Sequence, residues 1–125
     1  PLDAGRLHKS VSAWLGAQDF NARNASVAPG IATVHLDCDV QLLIDIRDTE
    51  LDPTTTVRDV IDGQERGWHA NVGFARSACA IPASVAGGQL GLVTVATDAT
   101  SIELSNPPRF PFFSRTCPSD RSLVA

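Results

Sequence analysis

From Val34 to Arg47 the chain alternates apolar residues with a second set that is polar except for Leu43. Val34, Leu36, Cys38, Val40, Leu42, Ile44 and Ile46 are separated by His35, Asp37, Asp39, Gln41, Leu43, Asp45 and Arg47. A period of two sustained over this length predicts a strand half buried in a sheet with one wet face, with Cys38 turned inward. Asp48 to Thr54 ends it with polar residues and Pro53. Whatever else the chain does, it has to supply a sheet for this strand.

The segment before it has the helical period instead. Ala4, Leu7, Val11, Trp14 and Leu15 recur at three- and four-residue intervals, with Arg6, Lys9, Ser10 and Gln18 between them. This predicts an amphipathic helix over 1–20 with Asp3 as N-cap and Trp14 as anchor. Gly5 and Gly16 cost about 1 kcal/mol each relative to Ala, so packing has to hold the helix in place. Asn21, Asn24, Pro29 and Gly30 mark the connection that follows.

Further along, Val57, Val60 and Ile61 fit one helical turn closed by Gly63, although Asp62-Gly63 between apolar runs is also a hairpin signal; the helical reading is preferred. Trp68, Ala70, Val72 and Phe74 alternate as a second strand, with His69, Asn71, Gly73 and Ala75 on its other face. Leu90–Thr97 and Ser101–Ser105 form a third and a fourth strand joined around Asp98 as a hairpin. From Asn106 the prolines at 107, 108, 111 and 118 predict an extended, irregular tail over 106–125, anchored by Phe110, Phe112 and Phe113. The fold class expected is therefore α+β: one domain over 1–125, with an N-terminal helix packed on a mainly antiparallel sheet of four or five strands within 31–105.

Composition supports a folded chain. With 43% apolar and 19% charged residues it is far from the disordered class, and 125 residues suffice for one core. The longest uncharged stretch, Ser77 to Thr97, is broken by Pro82 and by Gly87-Gly88, so no membrane-spanning helix is expected. A net charge of −4 with a single lysine, Lys9, lacks the basic footprint of nucleic-acid binding. The acid is concentrated: Asp37 to Glu65 holds nine acidic residues against Arg47 and Arg58. One surface is expected to be negative.

Three cysteines permit at most one internal disulfide, and buried free thiols in a reducing compartment explain them equally; for a bridge, Cys79–Cys117 is the expected pair because it would tie the tail to the sheet, leaving Cys38 as a buried thiol. The chain begins at Pro1 and contains no Met, and Asn24-Ala25-Ser26 matches the N-x-[ST] acceptor pattern. Together these point to an extracellular or periplasmic protein, either secreted or the ectodomain of an anchored one.

Few residues carry a chemical signature. His35, Asp37 and Asp39 share one face of the first strand, about 6.5–7 Å apart along it, where they can bind one divalent ion with His69 completing the set; the plain alternative is a solvated face. Asp45, Asp48, Glu50 and Asp52 can offer oxygen ligands to calcium but lack the ordered loop pattern, and a solvated acidic loop explains them equally. Cys79 lies ten residues after His69, which permits a Cys/His pair, yet no nucleophile elbow is present. Gly87, Gly88 and Gly91 lead into a predicted strand with no following G-K-[ST], so turn geometry accounts for them better than a phosphate loop.

Arg109, Phe110, Phe112 and Phe113 combine aromatic anchors, a guanidinium and stiffening prolines. That combination suits a partner-binding segment, or a cover for an open edge of the core. The function expected is an exported, non-catalytic binding or assembly domain that needs no cofactor and meets a protein partner or a second copy. The alternative is a small metal-dependent hydrolase or ligand carrier built on the His35/Asp37/Asp39 face.

Overall fold

The computed structural model describes residues 4–31 and 40–122, in two compact units, Pro1–Ile46 and Arg47–Ala125. In the first unit the expected helix is present as α1, Ala4–Asn21. Ala17 is buried, while Val11, Trp14 and Leu15 are about half exposed, so Trp14 is no core anchor within the described residues. The Asn21 carboxamide grips the later segment as a neighbouring strand would: Nδ2 donates to Leu42 O at 2.9 Å and Oδ1 accepts from Leu42 N at 2.8 Å. The segment 40–49 carries no strand assignment, and the first half of the expected strand, including His35, Asp37, Cys38 and Asp39, lies outside the described residues.

The second unit is where the antiparallel expectation fails. Its order is α2 (Pro53–Glu65), β1 (Ala70–Gly73), α3 (Ser77–Gln89), β2 (Val93–Ala96), a 3-10 turn (Ile102–Ser105), β3 (Phe113–Arg115) and a second 3-10 turn (Asp120–Ser122). Among the described residues the sheet has three strands in the order β1-β2-β3, and both pairings are parallel. The described architecture is thus strand–helix–strand, with no antiparallel sheet of four or five strands.

α3 is the reason. A 13-residue helix is about 20 Å long, enough to carry the chain from the end of β1 back to the level at which β1 began, so the next strand has to run the same way. Pro82 and Gly87-Gly88, which read as breakers, both lie inside it or at its end. The helix holds because Cys79, Ala80, Ala83, Ser84 and Gly87 recur on one face and are all buried. These residues are small, so the helix approaches the sheet closely. A Cβ at Gly87 would lie 3.1 Å from Thr94 Oγ1 and 3.4 Å from Asn71 Nδ2. The buried Ser84 hydroxyl is satisfied by donating to Ala80 O at 2.6 Å.

α2 confirms the helical reading of Val57–Ile61. Asp52 caps it, accepting from Thr55 N at 2.7 Å with Pro53 in the first turn. Thr55 N–H is the chief cause that holds the Asp52 carboxyl below its ordinary value, followed by the Thr55 side chain. Gly63 does not close the helix. It lies buried under the Trp68 ring, where any Cβ would overlap the indole. Arg47 spans both elements, pairing with Asp62 at 3.3 Å and lying over Trp68 at 5.8 Å.

Two small cores result. Ala80, Ala96, Ala99, Leu104 and Phe110 form one, with Phe74, Ile81 and Phe113 against it. Val60, Ala83 and Leu92 form the other, with Trp68, Phe74 and Ala86. Ser101–Ser105 is a capped 3-10 turn instead of a fourth strand, since Ser101 Oγ accepts from Glu103 N. The tail is not irregular throughout, because Phe113–Arg115 pairs with β2 once the last proline of the turn, Pro111, is passed. Cys79 and Cys117 are free thiols, so the expected disulfide is absent; Cys117 Sγ instead faces Ala99 O at 3.6 Å.

Candidate functional site at the carboxyl edge of the sheet

Parallel strands bring all their carboxyl ends to one edge, and the loops leaving them form the surface where open α/β sheets bind ligands. Here those loops are Phe74–Arg76, Thr97–Ser101 and Thr116–Ser119. Gly73 at φ 137° and Phe74 at φ 63° turn the chain sharply out of β1 and into α3. A phenylalanine in the left-handed region is uncommon and marks a position that its surroundings enforce.

The three loops are knitted together by hydrogen bonds. Thr97 N donates to Gly73 O at 2.8 Å, joining the exits of β1 and β2. Ser101 N donates to Ser77 Oγ at 3.1 Å, fixing the loop after β2 to the first turn of α3. Arg115 donates to Ala99 O at 3.2 Å, to Ser101 O at 2.9 Å and to Ser105 Oγ, so its guanidinium supports the loop from below. Thr116 N donates to Ala96 O at 3.0 Å and Asp120 N to Thr100 O at 2.9 Å.

What the edge offers to a ligand is mostly donors. Arg76, the N-cap of α3, makes no side-chain cap bond, and its carbonyl takes both Cys79 N and Ala80 N. The N–H groups of Ser77 and Ala78 have no acceptor among the described residues, as expected for the first turn of an uncapped helix. Beside them stand the Ser77 hydroxyl, the exposed Arg76 side chain, and Thr97 with its hydroxyl 3.0 Å from Asp98 Oδ2. Such an edge can receive a small polar molecule that presents acceptor atoms to the first turn of α3.

The residues singled out from sequence are dispersed relative to this edge. His69 is exposed just before β1, at the opposite end of the strand from the carboxyl edge, whereas Cys79 is buried on α3; no Cys/His pair forms at the edge. Asp48 accepts from Glu50 N at 2.9 Å and Asp52 caps α2, so both serve local turns. Among the described residues no three His, Cys, Asp or Glu side chains are grouped to hold a metal ion, and His35, Asp37 and Asp39 lie outside them. Phe110 is buried in the core, Phe113 is half buried against it, and Phe112 is 48% exposed. Arg109 lies over Phe110 at 5.2 Å and pairs with Glu103.

Ser77, Thr97, Asp98 and Ser101 were missed by sequence reasoning. The signal that would have found them is a short strand, a polar turn and then a face of small residues at helical spacing. A strand–helix–strand sheet with polar loops gathered at its carboxyl edge is an α/β architecture. Residues 33–125 match the family described as the receptor family ligand binding region, and the chain belongs to that family. No curated protein compared with the chain matches it. Family membership fits a binding role and an extracellular or periplasmic setting, and no described helix is long and apolar enough to cross a membrane.

Proposed function

We propose that the chain is an exported, non-catalytic binding domain whose ligand sits at the carboxyl edge of the parallel sheet. The observation that carries this reading is the parallel order β1-β2-β3 in a member of a ligand-binding family, which directs three polar loops to one edge. The ligand is a small polar molecule bearing a carboxylate or a comparable acceptor group. That group faces the Ser77 and Ala78 N–H donors and Arg76. The solvent-facing Phe112, next to the Arg109–Glu103 pair, is the surface for a protein partner or a second copy.

The test is a titration of ¹⁵N-labelled protein with a panel of amino acids and small carboxylic acids, comparing the wild-type chain with Ser77→Pro. Proline is tolerated at the first helical position, so this variant keeps α3 while removing one N–H; it also removes the hydroxyl that accepts from Ser101 N, so Ser77→Ala, which removes the hydroxyl alone, is titrated beside it as the control. Binders that shift Ser77, Ala78, Thr97 and Ser101 in the wild type and lose at least tenfold in affinity in Ser77→Pro beyond any loss in Ser77→Ala support the reading. Binders unaffected by Ser77→Pro, or shifts confined to the Phe112 surface, exclude the edge as the small-molecule site.

A further inference from the structure

The turn that follows α1 carries Asn24-Ala25-Ser26, the only N-x-[ST] sequence in the chain. Among the described residues its side chains are engaged only with one another and with α1. Asn24 Oδ1 accepts from Ser26 N at 3.2 Å and from Ser26 Oγ at 2.6 Å, and Asn24 Nδ2 donates to Asp19 Oδ1 at 2.8 Å. The backbone is closed by Val27 N and Ala28 N, which both donate to Asn24 O. Ala25, Ser26 and Val27 are exposed, the last at 63%.

We infer that Asn24 is an acceptor for an N-linked oligosaccharide. The inference rests on the exported reading above, because the transfer takes place in a secretory compartment. In the reaction Asn24 Nδ2 attacks the anomeric carbon of a polyprenyl-pyrophosphate-linked oligosaccharide. A C–N bond forms, the C–O bond to pyrophosphate breaks with its electron pair leaving on the phosphate, and the displaced Nδ2 proton passes to a base of the transferase. No electrons are gained or lost by the protein. Transfer precedes folding, so the folded structure decides only whether the product is accommodated.

It is accommodated on two counts. The sequon lies on a surface turn, with Asn24 half buried and Ala25 and Ser26 exposed, where a bulky polar group reaches solvent, whereas in a core it would be excluded. The substituted nitrogen also keeps one hydrogen, so Asn24 remains a donor beside Asp19 Oδ1, and Oδ1 continues to accept from Ser26. A glycan there would additionally cover Val27, an apolar side chain left open to water.

The test is expression of the full chain in a eukaryotic secretory host behind a cleavable leader, with a C-terminal tag that carries a sequon of its own. The tag reports entry into the compartment, so the result at Asn24 does not depend on where the protein is found naturally. The wild type and Ser26→Thr are expected to carry two oligosaccharides, and Asn24→Gln and Ser26→Ala one each. After amidase treatment all four should lose the oligosaccharide mass, with each occupied asparagine converted to aspartate. A wild-type chain glycosylated on the tag alone overturns the inference while leaving the ligand-binding reading untouched.

Discussion

The two faces of the three-stranded sheet contradict the usual distribution of side chains. On the face under α3 the registered rows are Asn71–Thr94–Phe113 and Gly73–Ala96–Arg115; Asn71 and Thr94 are buried, and among the described residues their side-chain polar atoms have no hydrogen-bond partner. On the other face the rows are Ala70–Val93 and Val72–Val95–Ser114, with Val72 71% and Val93 44% exposed. Polar groups are inside and valines outside. α3 therefore chose the inner face by shape, since a face of small residues needs short side chains opposite it, and hydrophobicity came second.

The largest effect is expected at Phe110, which fills the core under α3. Phe110→Ala should cost about 3–5 kcal/mol by chemical denaturation. Phe112→Ala, two residues on and half exposed, should stay within about 0.5 kcal/mol. Equal losses would mean that both rings are core.

Gly63→Ala comes next. It drives a methyl group into the Trp68 ring and should cost about 1–3 kcal/mol, despite the better helix propensity of alanine. An unchanged denaturation midpoint would show that Trp68 does not rest on α2.

The double variant Asn71→Leu with Thr94→Val tests the buried polar pair. Removing unpartnered buried polar atoms while keeping their shape should raise stability by about 1–2 kcal/mol, whereas a loss of similar size would show that the pair has partners in solution. Val72→Thr on the open face should change stability by less than about 0.5 kcal/mol, and a cost several times larger would place that valine under cover.

The smallest effect is expected at the cap of α2, which packs beside α3. Asp52 is exposed and its carboxyl titrates below the ordinary value of 3.8, chiefly because Thr55 N–H bonds the charged form. With the folded value the lower of the two, its contribution is complete above the ordinary value and is lost as pH falls through the depressed one. Wild type should therefore lose slightly more stability than Asp52→Asn on acidification below about pH 4. Parallel acid profiles would show that the cap contributes no pH-dependent stability.

The same contrast between shape and hydrophobicity explains what could be read from sequence. α1 was legible because its residues carry an ordinary amphipathic period, and α2 only as one turn at Val57, Val60 and Ile61, since its capping signal at Asp52-Pro53 reads equally as the end of the preceding strand. The strand positions around 70–74 and 93–96 were legible as strands. Their faces were not, since alternation at Trp68, Ala70, Val72 and Phe74 put valine inward and Asn71 outward. α3 was invisible to a hydrophobic reading, because its buried face consists of Cys79, Ala80, Ala83, Ser84 and Gly87 and its interior holds Pro82. Missing that helix removed the crossover that makes β1 and β2 parallel, and with it went the carboxyl edge. Ser77, Thr97 and Ser101 are ordinary residues made significant only by the direction of the strands.

Whether a ligand meets the carboxyl edge is decided most directly by mapping amide shifts in the wild-type chain titrated with the amino-acid and carboxylic-acid panel. Saturable shifts are expected to centre on Ser77, Ala78, Thr97 and Ser101, with residues at the amino end of β1, such as His69, unmoved. Saturable binding centred on the amino ends of the strands, or no saturable binding anywhere across the panel, would contradict a ligand site at the carboxyl edge.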